Sequence, residues 1–201
     1  PIAILNLGGV ANVTWIGADG SFSAFDTGPG NALIDDWITA NGLGSMDRGG
    51  NIAASGSVCD RVLNQLLMDP YFKQRPPKSL DRNHFSNTDL KALSVEDGAA
   101  TLAKFTAQSV AKSLDYLDQR PTRWLVSGGG RYNLTVMKFL SESLGSLIEP
   151  IENAGWDGDG LEAQAFAFLA VRSLLNLPIS FPNTTGVKKA LTGGVCNKPE
   201  G

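Results

Sequence analysis

The run Ile2-Ala3-Ile4-Leu5-Asn6-Leu7-Gly8-Gly9-Val10-Ala11-Asn12-Val13-Thr14-Trp15-Ile16 decides how the chain is read, together with Phe22-Ser23-Ala24-Phe25-Asp26-Thr27-Gly28-Pro29-Gly30-Asn31. Ile2–Leu7 is apolar, Asn12–Ile16 is rich in β-prone residues, and Phe22–Phe25 is a short third run. Gly8-Gly9 and Ala18-Asp19-Gly20 separate them as hairpin turns. Strands joined by turns this short form an antiparallel meander, because a parallel connection needs roughly a dozen residues or more. Thr27-Gly28-Pro29-Gly30-Asn31 then breaks the pattern and leads into a helix near 32–40, for which Asn31 is suited as N-cap.

Beyond the meander the pattern changes period. Met46-Asp47-Arg48-Gly49-Gly50-Asn51 reads as a polar loop and Val58–Met68 as a helix. Residues 70–89 hold Pro70, Pro76, Pro77 and many charges, and read as an irregular excursion. Residues 90–117 are mainly helical by spacing, with Ala99, Leu102, Ala103, Thr106, Val110, Leu114 and Leu117 on one face. Trp124–Ser127 is a short buried strand ending in Gly128-Gly129-Gly130, and Leu134–Leu144 is a helix capped by Asn133. Leu147–Ile151 is a further strand. Leu161–Leu175 is a helix apolar on nearly every side, and so is expected deep in the structure. The tail after Pro178 has little regular structure by composition. A meander followed by alternating helices and strands gives a mixed sheet with helices packed on it. That is the ribonuclease H-like arrangement of the α/β class, the repeated unit of the superfamily that joins sugar kinases, chaperone ATPases and actin.

Composition narrows the function. Of 201 residues 42% are hydrophobic and 18% charged, against a usual ~25% charged, which argues against disorder and against a coiled coil. A net charge of −3 argues against nucleic acid as a partner. No apolar run reaches the ~18 residues of a membrane helix. Cys59, Cys196 and His84 form no ligand spacing, so no metal site is expected from side chains, and the two thiols suit a reducing cytoplasm. The chain opens at Pro1, one residue before a strand. All of 1–201 is therefore expected to be the C-terminal domain of a longer protein, with an N-terminal domain missing and half of an active site with it.

Three glycine-rich turns each follow a strand: Gly8-Gly9, Thr27-Gly28-Pro29-Gly30-Asn31 and Ser127-Gly128-Gly129-Gly130. Such turns let the backbone approach an anion and aim N–H groups at it, and they also serve as plain turns. No Gly-Lys pair exists, which excludes a P-loop, and Gly128–Asn133 lacks the last glycine of a dinucleotide fingerprint. A mononucleotide held between glycine turns stays open. Asp26, expected at the end of the third strand, is placed to take a proton from a nucleophile near a phosphate; the same position suits an aspartate that initiates its own turn. Glu162 opens the apolar helix, either as a hook on a ligand or as a carboxylate favoured by the helix terminus. Asp157-Gly158-Asp159-Gly160 has too few oxygen ligands for calcium. Lys78, Arg82 and His84 lie on the excursion, where solvated charge is the plain reading.

These residues resemble one family. Leu5–Thr14, Phe25-Asp26-Thr27-Gly28-Pro29-Gly30-Asn31, Pro76-Pro77-Lys78-Ser79, Ser127–Gly130 with Asn133, Glu162-Ala163 leading into Ala165–Ala170, and Thr185-Gly186 are similar in order to anhydro-N-acetylmuramic acid kinase, C-terminal portion. The resemblance implies one half of an actin-like ATPase fold in a bacterial cytoplasmic enzyme of cell-wall recycling. Such an enzyme uses ATP and Mg²⁺ to open 1,6-anhydro-N-acetylmuramic acid with water and phosphorylate O6. By motif, Asp26 would be the base that activates the water. Gly128, Gly129, Gly130 and Asn133 would lie near the nucleotide, Gly8, Gly9, Gly28 and Gly30 near its phosphates, and Glu162 would shape the cleft. The partners implied are the amino sugar, ATP and the missing domain; a homodimer stays open. The alternatives are another ATPase of the superfamily and a non-catalytic interaction domain.

Overall fold

The computed structural model describes residues 1–86 and 90–197; residues 87–89, the end of the stretch read as an excursion, and 198–201 lie outside them. Strands β1 (Ile2–Leu7), β2 (Val10–Ile16), β3 (Phe22–Pro29), β4 (Arg123–Ser127) and β5 (Leu147–Pro150) form one sheet in the order β3-β2-β1-β4-β5. The first three pair antiparallel, and β4 and β5 add in parallel to β1. This is the ribonuclease H-like sheet. The parallel strands are reached by helical crossovers: α1 (Ala32–Ala40), α2 (Asn51–Ser55), α3 (Asp60–Leu66) and α4 (Val95–Lys112) precede β4, and α5 (Leu134–Leu144) joins β4 to β5.

Strict alternation gives the meander two unlike faces. Ala3, Leu5, Leu7, Ala11, Val13 and Phe25 point into a core shared with α1, α4 and α5. Ile4, Asn6, Asn12, Thr14 and Asp26 face the other way and are half-buried. The central helix of the core is α4, capped by Ser94 Oγ, which accepts from Asp97 N–H at 3.1 Å. It lies close on α1 because Gly98 has no side chain: a Cβ there would meet the Trp37 ring at 2.5 Å.

Four sequence expectations change. β3 runs on to Pro29, so Asp26 lies inside the strand, not at its end. Gly28 and Pro29 are read as strand breakers, but β3 is an edge strand, where proline is tolerated. Asn31 makes no side-chain cap on α1; its amide donates to Leu7 O at 2.9 Å and Gly8 O at 3.2 Å, tying the glycine turns together. The apolar helix exists as α6 (Leu161–Leu174), yet none of its residues is buried. An all-round apolar helix is buried only if something covers it, and the described residues leave it uncovered. The tail holds a short α7 (Pro182–Thr185) against β3, with Phe181 edge-on to Phe22 at 5.6 Å. Among the described residues no helix is long and apolar enough to cross a membrane.

Candidate active site

A cavity of about 470 Å³ opens on the uncovered face of the sheet, within the usual ~300–1,000 Å³ of small-molecule sites. Asn6, Asn12, Thr14 and Ser127 form its floor, the Gly128-Gly129 turn one end, and Glu162 with Ala165 of α6 a wall. A cavity of similar size, about 490 Å³, lies by the β2–β3 hairpin between Trp15, Arg75 and Asp118. It touches none of the glycine turns, so the sheet-face cavity is the candidate site.

Asp26 stands one strand beyond this cavity. The register from the hairpin puts it opposite Asn12, and Thr27 is then the extra residue where the pairing shifts between Ala11 and Asn12. A bulge here bends β3 just after Asp26, as bulges near active sites commonly do. The free edge of β3 is covered by the excursion. Asp26 N–H donates to Lys78 O at 3.1 Å, and Tyr71 Oη donates to Asp26 O at 2.6 Å. Leu80 N–H donates to Asp26 Oδ2 at 2.7 Å. The carboxylate is thus fixed through one oxygen, while Oδ1 has no hydrogen-bond partner among the described residues. Burial pushes its pKa above the ordinary carboxylate value, and the Leu80 N–H works against that shift. A fixed, half-buried carboxylate with one free oxygen and a raised pKa is suited to accept a proton.

Lys78 is not a solvated loop charge. Its ammonium donates to Tyr71 O at 3.1 Å and lies 4.4 Å and 5.0 Å from the Tyr71 and Tyr116 ring centres. Burial lowers its pKa to about 8. Arg82 pairs with Asp36 at 2.9 Å, both exposed, and His84 lies 3.1 Å from Asp69. Asp35 has a pKa raised to about 6, by burial first and then by Asp36.

The glycines divide by position. Gly9 and Gly129 are exposed, Gly8 and Gly128 half-buried, and Gly28, Gly30 and Gly130 buried. A Cβ on Gly28 would meet Ser109 Cβ at 2.5 Å, on Gly130 Leu7 Cβ at 2.5 Å, and on Gly30 the carbonyl of Gly8. Those three are explained by close packing. Gly128 has φ +75° and would clash with Asn6, whereas a Cβ on Gly129 meets nothing within 4 Å. Asn133 caps α5 by accepting from Val136 N–H at 3.0 Å, and does not line the sheet-face cavity.

Three contributors escape the sequence reading. Asn6 and Asn12 sit at outward positions of their strands, and polar residues at alternate sites of an apolar strand are the signal that could have found them. Arg131 is the third. Its guanidinium, 2% exposed, holds Asp159 at 2.8 Å, Glu152 at 2.8 Å and Gly128 O at 2.9 Å. It fastens the Gly128 turn to the segment that leads into α6, and no spacing rule connects residues so far apart in sequence. Among the described residues no group of three or more His, Cys, Asp or Glu converges.

Fold and cavity together define a ribonuclease H-like α/β domain with a candidate proton acceptor beside a cleft that one glycine turn, Gly128-Gly129, closes at one end, while Gly8, Gly9, Gly28, Gly30 and Gly130 do not line it. The family model for anhydro-N-acetylmuramic acid kinase matches residues 1–198, and the chain belongs to that family. It is 54% identical over 195 residues to the anhydro-N-acetylmuramic acid kinase of Rhodospirillum rubrum, covering 96% of this chain and 52% of that protein. With the same enzyme of Methylobacterium nodulans the identity is 52% over 198 residues, covering 98% and 53%. The chain thus spans about half the length of the curated relatives it matches. Among solved structures, an activator of 2-hydroxyisocaproyl-CoA dehydratase from Clostridium difficile with bound ADPNP aligns with TM-score 0.46 at 14% identity, covering 75% of this chain and 55% of that one. The fold assignment rests on the strand order and not on that likeness.

Proposed function

We propose that this chain supplies one wall of an ATP-dependent sugar kinase. The reaction opens 1,6-anhydro-N-acetylmuramic acid with water and phosphorylates O6, giving N-acetylmuramic acid 6-phosphate and ADP. The observation that carries this reading is Asp26, held through Oδ2 with Oδ1 free and its pKa raised, one strand beyond the cavity that the Gly128-Gly129 turn closes at one end. Family membership supports the substrate and the nucleotide.

In this reading Asp26 Oδ1 accepts a proton from water as the water oxygen bonds to the anomeric carbon. The bond from that carbon to O6 breaks, and O6 keeps the electron pair. O6 then attacks the γ-phosphorus, and the bond to the β-phosphate oxygen breaks to release ADP. Gly8-Gly9 and Gly128-Gly129 offer backbone N–H groups to the phosphates. Gly28, Gly30, Gly130 and Asn133 hold the turns in shape from inside, and Glu162 closes the cleft on the α6 side. With no acidic cluster among the described residues, Mg²⁺ belongs to the reading as an ion carried largely by the phosphates and water. It would neutralise charge on the transferred group.

The rest of the family length, expected as an N-terminal domain, is part of this proposal, as is a bacterial cytoplasmic setting. The test is an enzyme of full family length given ATP, Mg²⁺ and the anhydro-sugar. Equal amounts of ADP and muramic acid 6-phosphate are expected. ADP formed at the same rate without sugar would point to a plain ATPase and overturn the reading.

A further inference from the structure

Four polar side chains stand abreast on the open face of the sheet. Strand pairing sets Asp26 opposite Asn12, Asn12 opposite Asn6, and Asn6 opposite Ser127. Directly opposed residues share a face, with Cβ atoms ~4.5–5.5 Å apart. The neighbouring row on the same face is Ala24, Thr14, Ile4 and Leu125, almost wholly apolar. The polar row is therefore a local feature and not the rule for this face.

The row is also unsatisfied. Neither the Asn6 nor the Asn12 amide has a hydrogen-bond partner among the described residues, and the same holds for the Ser127 hydroxyl and Asp26 Oδ1. Four other asparagines are bonded within the chain: Asn31 to Leu7 O, Asn41 to Trp37 O, Asn133 to Val136 N–H and Asn153 to Glu149. Polar groups in or beside an open cavity without a protein partner are free to bond water or a ligand there, and four of them in one row favour a ligand with several polar groups. Asn6, Asn12 and Ser127 all line the cavity, and the row runs from the Gly128 turn at one end to Asp26 at the other.

We propose that Asn12 positions the attacking water together with Asp26. This rests on the reading of Asp26 as the base. The water donates one hydrogen to Asp26 Oδ1 and the other to Asn12 Oδ1, which turns an oxygen lone pair toward the anomeric carbon. As the new carbon–oxygen bond forms, the first hydrogen passes to Asp26 as a proton, the carbon–O6 bond breaks, and O6 keeps its electrons. Asn12 stays neutral, and its amide N–H₂ remains free to donate to a sugar hydroxyl. Asn6 continues the row toward the glycine turn and the phosphate end of the cleft.

The test uses an enzyme of full family length with three variants, each measured for kcat, the KM of ATP, and kcat against pH. Asn12→Leu keeps the size and removes the hydrogen bond; kcat is expected to fall at least tenfold while the KM of ATP changes less than twofold. Asn12→Asp sets a like charge opposite Asp26 and is expected to move the acid limb of the profile up by roughly one pH unit or more. That shift reports that position 12 lies beside the base, whereas a residue that serves only the fold would not lower kcat in Asn12→Leu while leaving the KM of ATP unchanged. Asn12→Leu retaining more than half of kcat, or an unmoved limb in Asn12→Asp, overturns the proposal. Asp26→Asn separates the two readings. If it retains activity, the base assignment has failed; if it is inactive while Asn12→Leu is active, only the role of Asn12 has failed.

Discussion

Asp26 makes three hydrogen bonds to residues 71–80, yet one carboxylate oxygen stays unbonded. That arrangement has a thermodynamic signature. Burial raises the folded-state pKa above the ordinary ~3.9, so between those two values the folded chain holds more protons than the unfolded one. Stability then falls as pH rises through the window, and the whole penalty is present above the folded pKa. Asp26→Asn removes the ionisation and keeps an oxygen for Leu80 N–H. Its melting temperature is expected to exceed wild type at pH 7.5 and to converge on it below about pH 4, as a melting series over pH would read. A variant less stable than wild type at pH 7.5 contradicts the burial argument. Activity goes the other way: in an enzyme of full length the same change is expected to cost ~10²–10⁴ in kcat. The neighbouring glycines give a second contrast. Gly129→Val places a side chain in open space without positive φ, so stability should stay within ~0.5 kcal/mol of wild type. ATP affinity should still fall at least tenfold, read by calorimetry on the full-length protein. Gly128→Ala, at φ +75° and against Asn6, is expected to lower stability itself, by ~1–3 kcal/mol. Unchanged ATP affinity in Gly129→Val would remove that turn from the site.

At the scale of elements, what the sequence discloses is what local rules control. β1, α5 with its Asn133 cap, β4 and the crossover order follow from alternation, helical spacing and capping, and the ribonuclease H-like sheet follows from their order. The site was legible where glycine turns leave strand ends. Its other half was not. The end of β3 depends on being an edge strand, the partner of Asp26 on a one-residue register, and the fate of Asn31 on a turn 23 residues away. Arg131 belongs to this non-local class, joining the turn after β4 to residues 152–159 before α6. Arg131→Met should therefore loosen the approach to α6 more than it loosens the core. A loss of ~1.5–3 kcal/mol is expected for its charged hydrogen bonds. Hydrogen exchange should quicken at 155–162 before it does in α4. Equal quickening in both would assign Arg131 to general stability.

Over the whole molecule, the described residues leave the open sheet face and α6 without cover. Phe166 is 65% exposed, Phe168 60%, Val171 54% and Leu174 67%. A helix that exposes large apolar side chains around most of its circumference is suited to be covered by another surface. The relatives are nearly twice as long, with this chain matching 52% of the Rhodospirillum rubrum protein. The expectation is that a protein of full family length buries this helix against its other half, close to the cavity that Glu162 and Ala165 border. The double change Phe166→Ser with Phe168→Ser tests this in two backgrounds. In the 201-residue chain both rings are already in water, so the melting temperature should barely move and binding of an apolar dye should fall. In the full-length protein each ring would leave a buried site, at ~1.5–3 kcal/mol apiece, so stability should drop by ~3–6 kcal/mol. Turnover should fall with it, because transfer needs the reacting atoms held in line by both halves. By the same argument the 201-residue chain alone should form no sugar phosphate from ATP and the anhydro-sugar. Equal melting shifts in the two backgrounds, or turnover by the short chain near that of the long one, would show that the chemistry does not need α6 covered.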